Sequence, residues 1–125
     1  MIAGIGVDIA AAGRFSAWQK NRRLIERFFH ADECAALYAA RDDIALRQFL
    51  AGRFAAKEAF GKALGTGMRG LNLADICVLN NELGKPEMRL FYGAASRLAQ
   101  SGARRVHISL SHDGDYAIAF VVLES

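Results

Sequence analysis

The sequence predicts one domain that mixes helices with hairpin-forming strands, on three observations. An apolar run opens the chain, a long helical pattern occupies its middle, and alternating apolar residues joined by a tight turn close it. A length of 125 residues suits a single domain, expected over 1–125, and 53% hydrophobic residues are enough for a core without a covalent staple.

Ile2 to Val7 is a short apolar run containing Gly4 and Gly6, expected as a buried strand to which another backbone comes close. Asp8 follows at once. A carboxylate at the end of an apolar strand is costly unless it is hydrated, paired or bound to a metal; otherwise Asp8 caps the alanine-rich helix expected from about Ala10. That helical pattern spaces Phe15, Trp18, Leu24, Ile25 and Phe28 among arginines. A second helix is expected over Ala31–Ala40, with Asp32 and Glu33 near its N-terminus, and Arg41-Asp42-Asp43 leads into a central helix.

The central stretch, RFAAKEAFGKALGTG at 53–67, carries the densest chemistry. At 3.6 residues per turn Phe49, Ala56, Phe60 and Ala63 share a packing side, while Phe54, Glu58 and Lys62 share another. Glu58 and Lys62 either set a cation acceptor above a phosphate donor or form an exposed helix pair contributing only about 0.2–0.5 kcal/mol. Gly65-Thr66-Gly67 comes after its helix, so it is no P-loop, and Gly65 is first a helix stop. A helix C-terminus repels anions, so any phosphate bound there draws positive charge from Lys57, Lys62 and Arg53.

Asp75–Asn80 and Glu87–Phe91 are expected as strands joined by a polar turn that holds the only proline, Pro86. Ala94–Gln100 suits a helix stopped at Gly102. Val106, Ile108 and Leu110 then alternate with His107, Ser109 and Ser111, and Asp113-Gly114 turns the chain into a last strand, Tyr116–Leu123. His112 sits at the mouth of that hairpin, as a surface residue or, with Ser109 and Ser111, as a holder of phosphate or sugar hydroxyls. No Gly-x-Ser-x-Gly elbow is present, which excludes a serine hydrolase of that kind.

The net charge is +3, and it is uneven: Arg14, Lys20, Arg22, Arg23 and Arg27 face only Glu26 over positions 14 to 30. An acidic partner suits that patch. Zinc-finger spacing, an RNP motif and a long basic run are all absent, which argues against nucleic acid. Cys34 and Cys77 have no CxxC spacing, which argues against zinc and for reduced thiols in a cytoplasmic setting. The apolar start lacks a basic n-region and is broken by Asp8, so neither a signal peptide nor a membrane span is expected.

Three separated stretches, GIGVDI at 4–9, RFAAKEAFGKALGTG at 53–67 and SLSHDGDYAIA at 109–119, together resemble the holo-acyl-carrier-protein synthases, the small 4'-phosphopantetheinyl transferases. The likeness runs from Ile2 almost to the C-terminus. It implies an α+β fold of the 4'-phosphopantetheinyl transferase type, an antiparallel sheet packed with helices. It also implies transfer of phosphopantetheine from coenzyme A to a serine of apo acyl carrier protein, releasing adenosine 3',5'-bisphosphate. Asp8 and Glu58 match the family's Mg2+ ligands, with Mn2+ as a substitute. By the same match Lys62 holds the pyrophosphate, Gly65, Thr66 and Gly67 line the coenzyme A groove, and Arg53 and His112 meet the nucleotide and its phosphates. The general base stays open between Glu58 and a metal-bound water.

Arg14 matches the family's docking arginine, with Trp18, Arg22 and Arg23 as companions. The resemblance further implies trimers with active sites between subunits. One departure is Ala11, which stands where many members carry a glutamate and so puts in doubt a third carboxylate near the metal. The alternative is a non-catalytic basic module that binds an acidic protein or nucleic acid, which leaves Asp8 and Glu58 without a task.

Overall fold

Helix α3 (Asp43–Leu64) is the axis on which the other elements are laid in this computed structural model, which describes residues 1–125. Asp42 caps it by accepting the Ala45 N–H at 2.8 Å, and Gly65 ends it in the left-handed region at φ 81°. Its middle is rich in small residues, and Ala51, Gly52, Ala55, Ala56, Ala59, Gly61 and Ala63 are all buried. Small side chains let strands lie close to the helix. Strand β1 (Ile2–Ala11) uses that closeness fully: a Cβ at Gly4 would overlap the Ala63 carbonyl oxygen, and one at Gly6 that of Ala59. The expected close backbone at these glycines is therefore α3.

Three further helices and four strands follow the same layering: α1 (Arg22–Phe28), α2 (Ala31–Tyr38), β2 (Ile76–Asn80), β3 (Pro86–Leu90), α4 (Tyr92–Gln100), β4 (Arg105–Asp113) and β5 (Tyr116–Glu124). One sheet runs β1-β5-β4, wholly antiparallel, with Asp8 opposite Ala119 and Ser111 opposite Ile118. The hairpin β2-β3 forms a second, two-stranded sheet. Ala117, Ala119, Val121 and Leu123 of β5 are buried on the side of the sheet that packs on α3. The opposite side leaves Ile5, Val7, Ile9, Ile118 and Phe120 exposed. The α+β class, with antiparallel strands against helices, is the expected one. No helix is long and apolar enough to cross a membrane.

The alanine-rich segment departs from expectation. No helix starts at Ala10: β1 continues to Ala11, paired with Tyr116, and the chain then makes two single-turn 3-10 helices, Ala12–Phe15 and Trp18–Lys20. Pairing with β5 gives the Ala10 and Ala11 backbone its hydrogen bonds, and this overrides alanine's helical preference. Regular helix begins only at α1, where Asn21 accepts the Leu24 N–H at 3.1 Å. Asp8 thus lies inside a strand and caps nothing.

Lys57, expected to be available to phosphate, is fully buried and pairs with Glu33 at 2.6 Å. Its ammonium also donates to the carbonyls of Phe28 (3.1 Å), Leu73 (2.8 Å) and Ile76 (2.7 Å). Glu33 in turn accepts the His30 N–H at 3.0 Å and the Val78 N–H at 2.9 Å. Burial lowers the Lys57 pKa, and Glu33 opposes that shift. One ion pair thereby joins α3, α2, the end of α1 and β2.

Removing one partner leaves a buried charge uncompensated, so Glu33→Ala is expected to lower unfolding free energy by about 3–5 kcal/mol in urea titrations. The double variant Glu33→Leu/Lys57→Met is expected to stay destabilised, because it removes the buried charges but strands the carbonyls of Phe28, Leu73 and Ile76 and the N–H groups of His30 and Val78; a Glu33→Ala effect near zero would contradict the role given to the pair.

Candidate active site

Strand alternation points Gly4, Gly6, Asp8 and Ala10 toward α3. The helix turn that Asp8 meets carries Glu58 and, one turn later, Lys62. The Lys62 ammonium donates to Asp8 Oδ1 at 2.9 Å and to the Val7 carbonyl at 3.1 Å. Asp8 Oδ2 is buried and has no partner in the chain. A carboxylate oxygen taken from water without a partner is costly, so this one is open to a cation or to a proton carried by Glu58.

Glu58 lies close enough to Asp8 for the two carboxyl groups to interact. Burial and the Asp8 charge push its pKa up, while Arg14 at 4.0 Å and Lys62 oppose the shift. Two close carboxylates with an unpartnered oxygen between flanking cations form a donor set for a hard divalent cation, which prefers oxygen ligands. The Lys62 side chain is half exposed, so it can also reach a ligand outside the chain.

Arg14 belongs to this mouth as well as to the basic patch. Its guanidinium covers the Phe54 ring at 4.9 Å and the Phe15 ring at 5.5 Å while facing Glu58. The loop after α3 folds back beside Lys62. Gly67 donates to the Gly61 carbonyl at 3.0 Å, and a Cβ on Gly61 would come within 2.6 Å of the Gly67 oxygen, so a side chain there would push the loop away. Gly65 and Thr66 are exposed in that loop.

Other expected residues lie elsewhere. Arg53 is buried, donates to the Val78 carbonyl (3.3 Å) and Asn80 Oδ1 (3.2 Å), and stacks on Phe49 at 4.0 Å. It ties α3 to β2, about 140° around the helix from Glu58, so the expected phosphate contact gives way to a packing role. Trp18 is wedged among Phe15, Phe28, Phe29 and Phe54, a half-buried cluster member rather than a free docking side chain. Arg22 lies exposed over Tyr38 at 4.2 Å, and Arg23 is exposed without an ion-pair partner.

His112 faces α3 over Gly52, where a Cβ would come within 3.2 Å of its Nε2. That is about 9 Å along the helix from Glu58, and His112 makes no hydrogen bond to the cluster. Sequence reasoning missed Glu33, whose acceptor role was hidden because an acidic residue in a first helical turn looks like dipole compensation. The signal was His30-x-x-Glu33, a capping box with histidine in place of serine or threonine.

The family model of the 4'-phosphopantetheinyl transferase superfamily matches residues 4–121. A holo-[acyl-carrier-protein] synthase of Treponema denticola is 44% identical over 124 residues, covering 99% of both chains. One from Geobacter metallireducens is 45% identical over 130 residues, covering 99% of this chain and 98% of that relative. Among solved structures, the holo-[acyl-carrier-protein] synthase of Neisseria meningitidis aligns over the whole of both chains with TM-score 0.87 and 37% identity. That of Bacillus anthracis in complex with CoA (3',5'-ADP) gives TM-score 0.83 and 36% identity over 100% of this chain and 98% of that one.

Raising a carboxyl pKa on folding makes stability fall as pH rises from the ordinary carboxylate range through the raised value. In chelator at neutral pH, Glu58→Gln is therefore expected to melt above the parent, and the difference should vanish at pH values where Glu58 is protonated in both states. Mg2+ should raise the parent's Tm and leave that of Glu58→Gln nearly unmoved. A variant that melts below the parent at neutral pH in chelator would contradict the carboxylate repulsion.

Proposed function

The chain belongs to the holo-[acyl-carrier-protein] synthases of the 4'-phosphopantetheinyl transferase superfamily and is an enzyme; from that premise we propose that it moves 4'-phosphopantetheine from coenzyme A to a serine of an apo acyl carrier protein with Mg2+. The serine oxygen bonds to the phosphorus next to pantetheine, the bridging P–O bond breaks, and adenosine 3',5'-bisphosphate leaves. The single observation that carries the reading is the buried, unpartnered Oδ2 of Asp8, on a carboxylate whose Oδ1 is held by the Lys62 ammonium and whose charge is felt by Glu58.

Asp8 and Glu58 are the residues that would hold Mg2+, which when bound supplies charge neutralisation at the pyrophosphate. Mn2+ fits the same oxygen donors. Lys62, oriented by Asp8 and the Val7 carbonyl, presents a cation to the pyrophosphate and a proton to the departing phosphate. Glu58, with its pKa raised by burial and by the Asp8 charge, is the chain's own group suited to take the serine proton. The Gly65-Thr66-Gly67 loop, with two residues lacking side chains, gives coenzyme A close access to backbone, and His112 is the group for a phosphate of the nucleotide. Ala11, inside β1 and opposite Tyr116, adds no third carboxylate.

The exposed arginines supply the docking charge for a strongly acidic carrier protein, which steers encounter and weakens with salt. Exposed Ile5, Val7 and Phe120 border a recess that includes Lys62, so a second copy covering this apolar face would complete the site from outside. That supports a homotrimer with shared sites. Two free thiols suit the cytoplasm, where both substrates meet. A non-catalytic basic module would give the Asp8–Glu58 pair no purpose, and that alternative is set aside.

Asp8→Asn and Glu58→Gln are each expected to lower kcat by at least about a hundredfold in a coenzyme A transfer assay. Arg23→Glu is expected to raise KM for the carrier protein, more so at low salt, with KM for coenzyme A unchanged. Arg14→Glu should damage both, because Arg14 also faces Glu58. Full turnover in Glu58→Gln would sink the metal assignment.

A further inference from the structure

Glu33 and Val78 are hydrogen-bonded at 2.9 Å, which locks the start of α2 against β2. Their chain neighbours on that seam are Asp32 and Cys77. The His30 ring lies at the same place, oriented twice over: its Nδ1 accepts the Asp32 N–H at 3.0 Å, and it stacks on Phe91 at 4.6 Å between centroids. Ligand atoms of His30, Asp32 and Cys77 all fall within 4.8 Å of one another. Cys77 is 1% exposed and its sulfur has no hydrogen-bond partner, so a buried donor atom is aimed into this cluster unused. Asp32 is 62% exposed along its side chain, which leaves a way in from solvent.

We propose that His30, Asp32 and Cys77 bind one divalent cation of the zinc class and clamp the N-terminus of α2 to β2. One nitrogen, one sulfur and one oxygen donor form a mixed set that suits zinc-like cations and not Mg2+. Ligand bonds of about 2.0–2.3 Å place tetrahedral donors somewhat closer than the 4.8 Å limit here, so cation binding draws the His30 and Cys77 side chains together and turns the exposed Asp32 side chain inward. Water completes the fourth position. A carboxylate, a thiolate and a neutral imidazole balance a double positive charge, so the filled site is electrically neutral in a partly buried place.

Burial, Glu33 and Asp32 push the Cys77 thiol up to about 11, so the free protein holds a protonated sulfur and cation binding releases that proton to solvent. This site is independent of the proposed transfer reaction. It lies on the flank of α3 reached by Arg53 and Lys57, whereas Asp8 meets the flank carrying Glu58 and Lys62. It also reverses the expectation drawn from cysteine spacing: the three ligands stand at 30, 32 and 77, a separation with no local motif.

Co2+ titration of the reduced full-length protein in saturating Mg2+ tests the proposal, because only a sulfur ligand gives a thiolate-to-cobalt charge-transfer band. The expected result is a band that saturates at one equivalent per chain and is displaced by Zn2+. It should persist in Cys34→Ser and Glu58→Gln and be lost in Cys77→Ser. His30→Asn should lose it too while keeping the helix cap, since asparagine also accepts the N–H, and circular dichroism checks that this variant is folded. No band in the folded, reduced parent, or a band that survives both Cys77→Ser and His30→Asn, would overturn the site.

Discussion

The Lys57–Glu33 pair fixes the rotation of α3, and the site depends on that rotation. With the three protons of the Lys57 ammonium shared among four oxygens, the helix cannot turn about its axis without losing contacts to Phe28, Leu73, Ile76 and Glu33 together. Glu58, the next residue, is carried about 100° round, toward β1. Taking two charges from water is costly, and here the cost is met because the pair also bonds three backbone carbonyls and two backbone N–H groups. The pair thereby holds four segments in one arrangement.

The opposite flank of α3 shows how small residues turn that arrangement into chemistry. Gly4 and Gly6 bring the β1 backbone against the helix, and the strand then presents Asp8 at the level of Glu58 and Lys62. Asp8 meets Glu58 and Lys62, 50 and 54 residues further along the chain, because two glycines lack a Cβ. Burial and then the Asp8 charge raise the Glu58 pKa, and Asp8 Oδ2 is left unpartnered. Both are unfavourable in the free chain and would be relieved by a bound cation, which is the link between packing and the proposed transfer.

Much of this was legible in the sequence, and the failures share one cause. Glycine spacing in β1, the capped central helix, both hairpins and the Glu58–Lys62 alignment follow from local rules, so local reading finds them. Arg53 and Lys57 were misread because a basic residue beside a glycine loop suggests an anion, whereas the carbonyls and Glu33 that bind them arrive from distant segments. Trp18 looked like a docking residue until four phenylalanine rings enclosed it. The alanine run after Asp8 was assigned to helix by propensity and became strand by pairing with β5. The His30, Asp32 and Cys77 cluster left no trace in spacing, since a seam between α2 and β2 creates it.

The central claim is that Asp8, Glu58 and Lys62 form a metal-dependent phosphopantetheine transfer site. Intact-mass spectrometry of an apo acyl carrier protein, incubated with this protein and coenzyme A in Mg2+ and in chelator, addresses it most directly. The account predicts a gain of one phosphopantetheine in Mg2+ and none in chelator. A gain that persists unchanged in chelator would contradict the metal role, and no gain with any of several carrier proteins from a folded sample would contradict the transfer itself.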